Sequence, residues 1–153
     1  MGEVHTTWHL AVSPEQAFAF GAKAERLPEW DTSMVEVKDV SGPLDTVGAG
    51  YTGVMKLGGR RLEGRWEVTR VDRPGLLELK GVTPGGGEAK LVIRYAPGPG
   101  GTDMSEDLTY TLPGGLAGRL ADWLIVERVI ERQFRHSGEK IKAILEAETT
   151  AAG

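Results

Sequence analysis

Two carboxylates stand where the pattern asks for apolar side chains. Glu106 falls on the inward face of an alternating stretch, in step with Leu108 and Tyr110. Glu127 lies near the centre of the apolar stripe of a long C-terminal helix, between Trp123 and Phe134. A carboxyl taken out of water must be paired, hydrogen-bonded or protonated, and desolvation raises its pKa. A group shifted in this way can serve as general acid or base near neutral pH. Tyr51, Tyr95 and Tyr110 share the inward face and are the groups available to hold such a carboxyl or a substrate oxygen. The structural alternative is an internal salt bridge, or carboxylates that reach water at a cavity mouth.

Other chemistry is thinly represented. His5 and His9 share the outward face of the first strand with no third ligand beside them, so they read as a solvated pair, not a metal site. His136 sits among Arg132, Arg135 and Lys140 on the outer side of the helix. Gly58-Gly59 and Pro84-Gly85-Gly86-Gly87 do not lead into helices and are turns, not phosphate cradles. Gly-x-Ser-x-Gly and Walker patterns are absent. No metal or other cofactor is expected.

The elements that would position these residues follow from periodicity. Glu3 to Val12 alternates, with Val4, Thr6, Trp8, Leu10 and Val12 on one face. Ser13-Pro14-Glu15-Gln16 is a helix start of the capping-box type, but Ala17, Phe18 and Phe20 follow at once, so the helix is short. Gly21 and Pro28 bracket a second short helix, about Lys23 to Leu27, which Trp30 closes. From Met34 the period is two. Strands are predicted at Met34–Val40, Tyr51–Leu57, Arg60–Val71, Leu76–Val82, Glu88–Ala96 and Thr102–Leu112. Asp72-Arg73-Pro74-Gly75 reads as a turn in which proline presets φ and glycine takes a positive φ. Pro113-Gly114-Gly115 releases a helix over Leu116–Glu148, about 50 Å long at about 1.5 Å per residue. Its stripe carries Leu116, Leu120, Trp123, Ile130, Phe134, Ile141 and Leu145. Small Ser137 and Gly138 lie near the stripe, where they allow close approach to the sheet or a bend.

This order gives an α+β fold: a curved antiparallel sheet of about seven strands around a long C-terminal helix, with two short helices after the first strand. Residues 1–148 form one domain, and Thr149–Gly153 is a frayed tail. The inward face would carry Thr6, Trp8, Leu10, Tyr51, Gly53, Met55, Gly64, Trp66, Leu79, Gly81, Ile93, Tyr95, Glu106, Leu108 and Tyr110, facing Trp123, Ile130 and Phe134 of the helix. Apolar walls with a few polar tips suit a small-molecule site. Gly53, Gly64 and Gly81 either make room or mark bulges in a curved sheet.

Composition narrows the classes. The chain has 153 residues, no cysteine and a net charge of −4. Disulfides and thiolate zinc sites are excluded, and a reducing cytoplasm is the expected compartment. The charge balance argues against nucleic-acid binding. No apolar run approaches a membrane span, and no signal peptide is visible. Ile125 and Val129 face away from the stripe, as scattered surface residues or a weak dimer contact, so a monomer or weak homodimer is expected.

The chain resembles the SRPBCC superfamily, with its START-like helix-grip fold. The likeness rests on Val12-Ser13-Pro14-Glu15-Gln16-Ala17-Phe18, Leu27-Pro28-Glu29-Trp30, Val47-Gly48-Ala49-Gly50, the Arg70 to Leu77 strand-turn-strand, Gly100-Gly101-Thr102 and the C-terminal helix. Within the superfamily it is most similar to the bacterial polyketide cyclase/dehydrase-like group. The resemblance implies an internal cavity between sheet and helix that takes hydrophobic or amphipathic molecules, lipids included. It carries over no catalytic residue. Three functions stay open: a binder of such a molecule, a cyclase or dehydratase using Glu106 and Glu127, and a protein-interaction module with a filled core.

Overall fold

Alternation and turn residues set the sheet. The computed structural model describes residues 2–57, 60–83, 86–111 and 120–152. Its strands are β1 (Gly2–Leu10), β2 (Met34–Lys38), β3 (Gly50–Leu57), β4 (Arg60–Asp72), β5 (Leu76–Val82), β6 (Glu88–Gly98) and β7 (Gly101–Thr111). They form one antiparallel sheet in the order β1-β7-β6-β5-β4-β3-β2, curled into a half-barrel. The register pairs Thr6 with Glu106 and Glu106 with Ile93, so one row of the inner face crosses three strands. Every residue expected on that face is buried or half-buried. The fold is α+β of the helix-grip type.

Two local expectations change. The first concerns the elbow after β1. Helix α1 (Pro14–Gly21) has the full capping box: the Ser13 hydroxyl accepts from the Gln16 N–H at 3.2 Å, and Gln16 reaches back to the Ser13 N–H at 3.1 Å. The next segment is a 3-10 turn (Ala24–Arg26) followed by α2 (Leu27–Trp30). Pro28 was expected to end a helix and instead sits in the first turn of one, where its missing N–H costs no hydrogen bond. The second concerns Asp72–Gly75. The Gly75 N–H closes this turn on the Asp72 carbonyl at 2.8 Å, the Arg73–Pro74 bond is cis, and Gly75 does not take a positive φ.

The long helix, α3, runs over Leu120–Ala152, so the backbone stays helical past Thr149, where fraying was expected. Leu116, Gly58-Gly59, Pro84-Gly85 and Pro113-Gly114-Gly115 lie outside the described residues, as do the side chains of Trp123 and Ile125. Helix α3 packs chiefly on β1 and α2. Ile130, Ile141 and Leu145 enter the core, and Ser137 and Gly138 are buried. Polar ties fix its position. The Thr32 hydroxyl donates to the Gln133 carbonyl and the Thr32 N–H to the Ser137 hydroxyl, both at 3.0 Å. The Gln133 amide donates to the Lys56 carbonyl at 3.0 Å. Near the C-terminal end, the Arg26 guanidinium joins Glu29 and Glu148, each at 2.8 Å.

Gly138 lets the helix lie close against β1, because the Trp8 indole occupies the space a side chain would need. Gly138→Ala should raise helix propensity by about 1 kcal/mol. The methyl would nevertheless collide with the indole, and overpacking of this kind costs about 1–3 kcal/mol. We expect Gly138→Ala to lower stability in urea unfolding, and the same substitution to raise it in a Trp8→Ala background. Equal effects in the two backgrounds would show that Trp8 does not set the approach.

Candidate functional site

Strand β7 carries Glu106 into the interior between Thr6 of β1 and Ile93 of β6. The residue is 5% exposed. Its Oε1 has no hydrogen-bond partner among the described residues. Burial, and then the charge of Asp31, push its pKa from an ordinary 4.5 up to about 8.

Asp31 follows α2 directly, at the end of the elbow. Its Oδ1 accepts from the Ser33 N–H at 3.0 Å and from the Ser33 hydroxyl at 2.6 Å. Burial raises its pKa, opposed by these hydrogen bonds and by the charge of Lys140. Burial also raises the hydroxyls of Tyr51 and Tyr95, with Asp31 and Glu106 adding to the first and Glu106 to the second. Tyr110 is pushed up to about 12 by burial and by Glu127. The tyrosines are therefore neutral hydrogen-bonding groups at physiological pH, not nucleophiles.

These groups border a cavity of about 160 Å³ between the sheet, the elbow and α3. Tyr51, Met55, Trp66, Leu79, Ile93, Glu106, Leu108, Tyr110, Ile130 and Phe134 line it. So do Trp30, Asp31, Ser33, Gln133 and Ser137. The exposed residues Lys56, Val82, Glu88 and Thr111 mark where it meets solvent.

Other residues singled out from the sequence lie elsewhere. Trp8 is spent against Gly138, and the Tyr95 hydroxyl abuts Gly21. Glu127 is half-buried and influences Tyr110, but it is not on the cavity wall. The carboxyl acting on Glu106 is that of Asp31. Asp31 escaped sequence reading because one polar residue after a four-residue helix interrupts no periodicity; the Asp-x-Ser spacing, which suits a local side-chain turn, was its only signal. Lys140, expected on the outer side, is half-buried and acts on Asp31. His5 and His9 are exposed and paired with Asp107 and Asp103 of β7, the latter at 2.9 Å. Among the described residues no cluster of three metal-ligating side chains occurs.

The three interior glycines mark close contacts. The register breaks of the sheet fall at Met34–Glu36 and Val68–Arg70, away from all three. A Cβ at Gly81 would stand 2.9 Å from the Trp66 indole, and one at Gly53 would stand 2.7 Å from the Met34 sulfur. Absent side chains on β3 and β5 thus let wall residues lie close to the sheet. Gly64 and Gly81 line the cavity, whereas Gly53 does not.

The family model described as polyketide cyclase/dehydrase and lipid transport matches residues 1–146. The chain belongs to this family. No curated protein sequence matches it significantly. Among solved structures, Staphylococcus aureus SA2116, a protein of unknown function, superposes with a TM-score of 0.72 at 15% identity, covering 97% of this chain and 96% of that one. A Rhodobacter sphaeroides protein gives 0.70 at 19%, covering 95% and 92%. DynU16, a protein of the dynemicin biosynthetic locus, gives 0.65 at 16%, covering 94% of this chain and 47% of its own. At such identities the likeness is one of fold.

The buried acid gives this family member a pH-dependent stability. Unfolding returns Glu106 to its ordinary 4.5. Between that value and about 8 the folded state holds a proton that the unfolded chain has released. Its contribution is full below about 4.5 and falls as pH rises towards 8, and Asp31 acts in the same direction. The wild type should lose on the order of a few kcal/mol between pH 5 and 8. Glu106→Gln should flatten that part of the profile and exceed the wild type in stability at pH 8. Urea unfolding across the pH range measures both, and a flat wild-type profile would mean an unshifted carboxyl.

Proposed function

We propose that the protein binds a hydrophobic or amphipathic small molecule in the cavity between the sheet and α3. The observation that carries this reading is an apolar interior space holding a buried carboxyl oxygen that has no partner among the described residues. A cavity this size, walled by aromatic and aliphatic side chains, has room for a small ring system. Membership of a cyclase/dehydrase and lipid transport family supports the same reading. The filled-core interaction module is disfavoured by the space itself. No described helix is long and apolar enough to cross a membrane.

A second reading is catalytic. A carboxyl whose pKa is pushed up to about 8 is protonated at neutral pH and can donate to a developing oxyanion, as a cyclisation or dehydration requires. Glu106 is the group for that role, with the Tyr51 hydroxyl nearby to orient an oxygen. Glu127, off the cavity wall, would take no direct part. The family description, polyketide cyclase/dehydrase and lipid transport, supports polyketide-like substrates for that role.

Binding is tested with the neutral fluorophore N-phenyl-1-naphthylamine. Saturable fluorescence enhancement is expected in the wild type. Leu108→Trp, which places an indole in the cavity, should reduce affinity at least about tenfold at an overpacking cost of about 1–3 kcal/mol. Equal affinity in a folded Leu108→Trp variant would move the site elsewhere. Native mass spectrometry of protein from its own host then separates the readings. A retained molecule released unchanged supports binding, whereas a mass change lost in Glu106→Gln supports catalysis.

A further inference from the structure

The charges inside the cavity are unbalanced. Among the described residues four charged ones line it, and of these Lys56 and Glu88 are exposed at its rim. The interior pair, Asp31 and Glu106, are both acids. Lys140 of α3 acts on Asp31 but does not line the cavity. Among the described residues no cation offsets the burial of Glu106: the groups around it are the Thr6 hydroxyl on β1, Tyr95 on β6, Tyr51 on β3 and the Asp31 carboxyl. From α3, Gln133 and Ser137 reach the same cavity as neutral groups. Asp31 is held as an acceptor by two hydrogen bonds from Ser33, whereas Glu106 Oε1 has no partner among the described residues.

The remaining wall is aromatic, with Trp30, Tyr51, Trp66, Tyr110 and Phe134 around the carboxyls. Aromatic faces attract cations through their quadrupoles, most strongly where water is excluded. An ionised carboxyl without a counter-ion repels an anion, and it gives an alcohol one hydrogen bond where it gives an ammonium a hydrogen bond and an ion pair.

We propose that the occupant of this cavity carries a protonated amine, seated between the Glu106 and Asp31 carboxyls and against the aromatic wall. The proposal rests on the cavity being a binding site, and it names the chemistry of the ligand's polar end. Binding exchanges a proton. The ammonium arrives with its charge, Glu106 ionises to meet it, and one proton leaves to solvent. Affinity therefore rises with pH up to about 8, and falls again only where the amine loses its own proton, at about 10 for an alkylamine.

The test uses three probes of one shape: 4-phenylbutylamine, 4-phenylbutanol and 4-phenylbutanoate, titrated at pH 8 against tryptophan fluorescence and by calorimetry. The amine should bind about tenfold or more tightly than the alcohol, and the carboxylate most weakly. Calorimetry in two buffers of different ionisation enthalpy should show proton release for the amine alone. Glu106→Gln should remove both the preference and the release while leaving alcohol binding in place. An alcohol that binds as well as the amine would overturn the inference and leave the cavity reading standing. So would an amine preference that survives in both Glu106→Gln and Asp31→Asn. Binding of none of the three would overturn the cavity reading as well.

Discussion

One helix has to cover the concave face of seven strands. Neighbouring strands lie about 4.8 Å apart, so even a curled sheet of seven offers far more width than a helix about 10–12 Å across can fill. Helix α3 resolves this by lying over one side. It settles on β1, where Gly138 admits the Trp8 indole, and on α2. The elbow covers a further part, with Phe20, Leu27 and Trp30 turned inward. What neither fills is the cavity between them and the sheet. It is the remainder left when a rigid cylinder meets a curved wall, and Thr32, tied to both Gln133 and Ser137, fixes the helix beside it.

A space walled chiefly by apolar side chains gives a bare charge little solvation. Glu106 is tolerated because protonation removes the charge and Asp31 leans the equilibrium the same way. Asp31 itself has Ser33 and the field of Lys140 to support it. The two acids thus differ in kind. One is built into the elbow by its own turn, while the other has an oxygen without a partner among the described residues.

The sheet was legible because its signals are local and repeated. Alternation set the strands, and glycine, proline and aspartate set the turns, so β3 to β7 fall within a few residues of their expected ends. The elbow was less legible because Pro28 signals both a stop and a first turn, and only packing chooses between them. Glu106 was legible as a break in a period. Glu127 was a break of the same kind, yet a helical stripe read by angle over more than thirty residues does not say which flank meets the cavity. Asp31 and Trp30 were missed as wall residues, since nothing in a four-residue helix shows what lies across from it. Trp8 faces inward as expected, but its indole is absorbed by a glycine that lies far along the chain.

Gly53 takes no place on the cavity wall, yet two wall residues, Met34 and Tyr51, lie close over it. A side chain there would push both into the space without meeting whatever occupies it. Selectivity in this scaffold can therefore evolve by remote adjustment. A single backbone position behind the wall governs how large an occupant is admitted, and the carboxyl that would meet the ligand's polar end need not change at all.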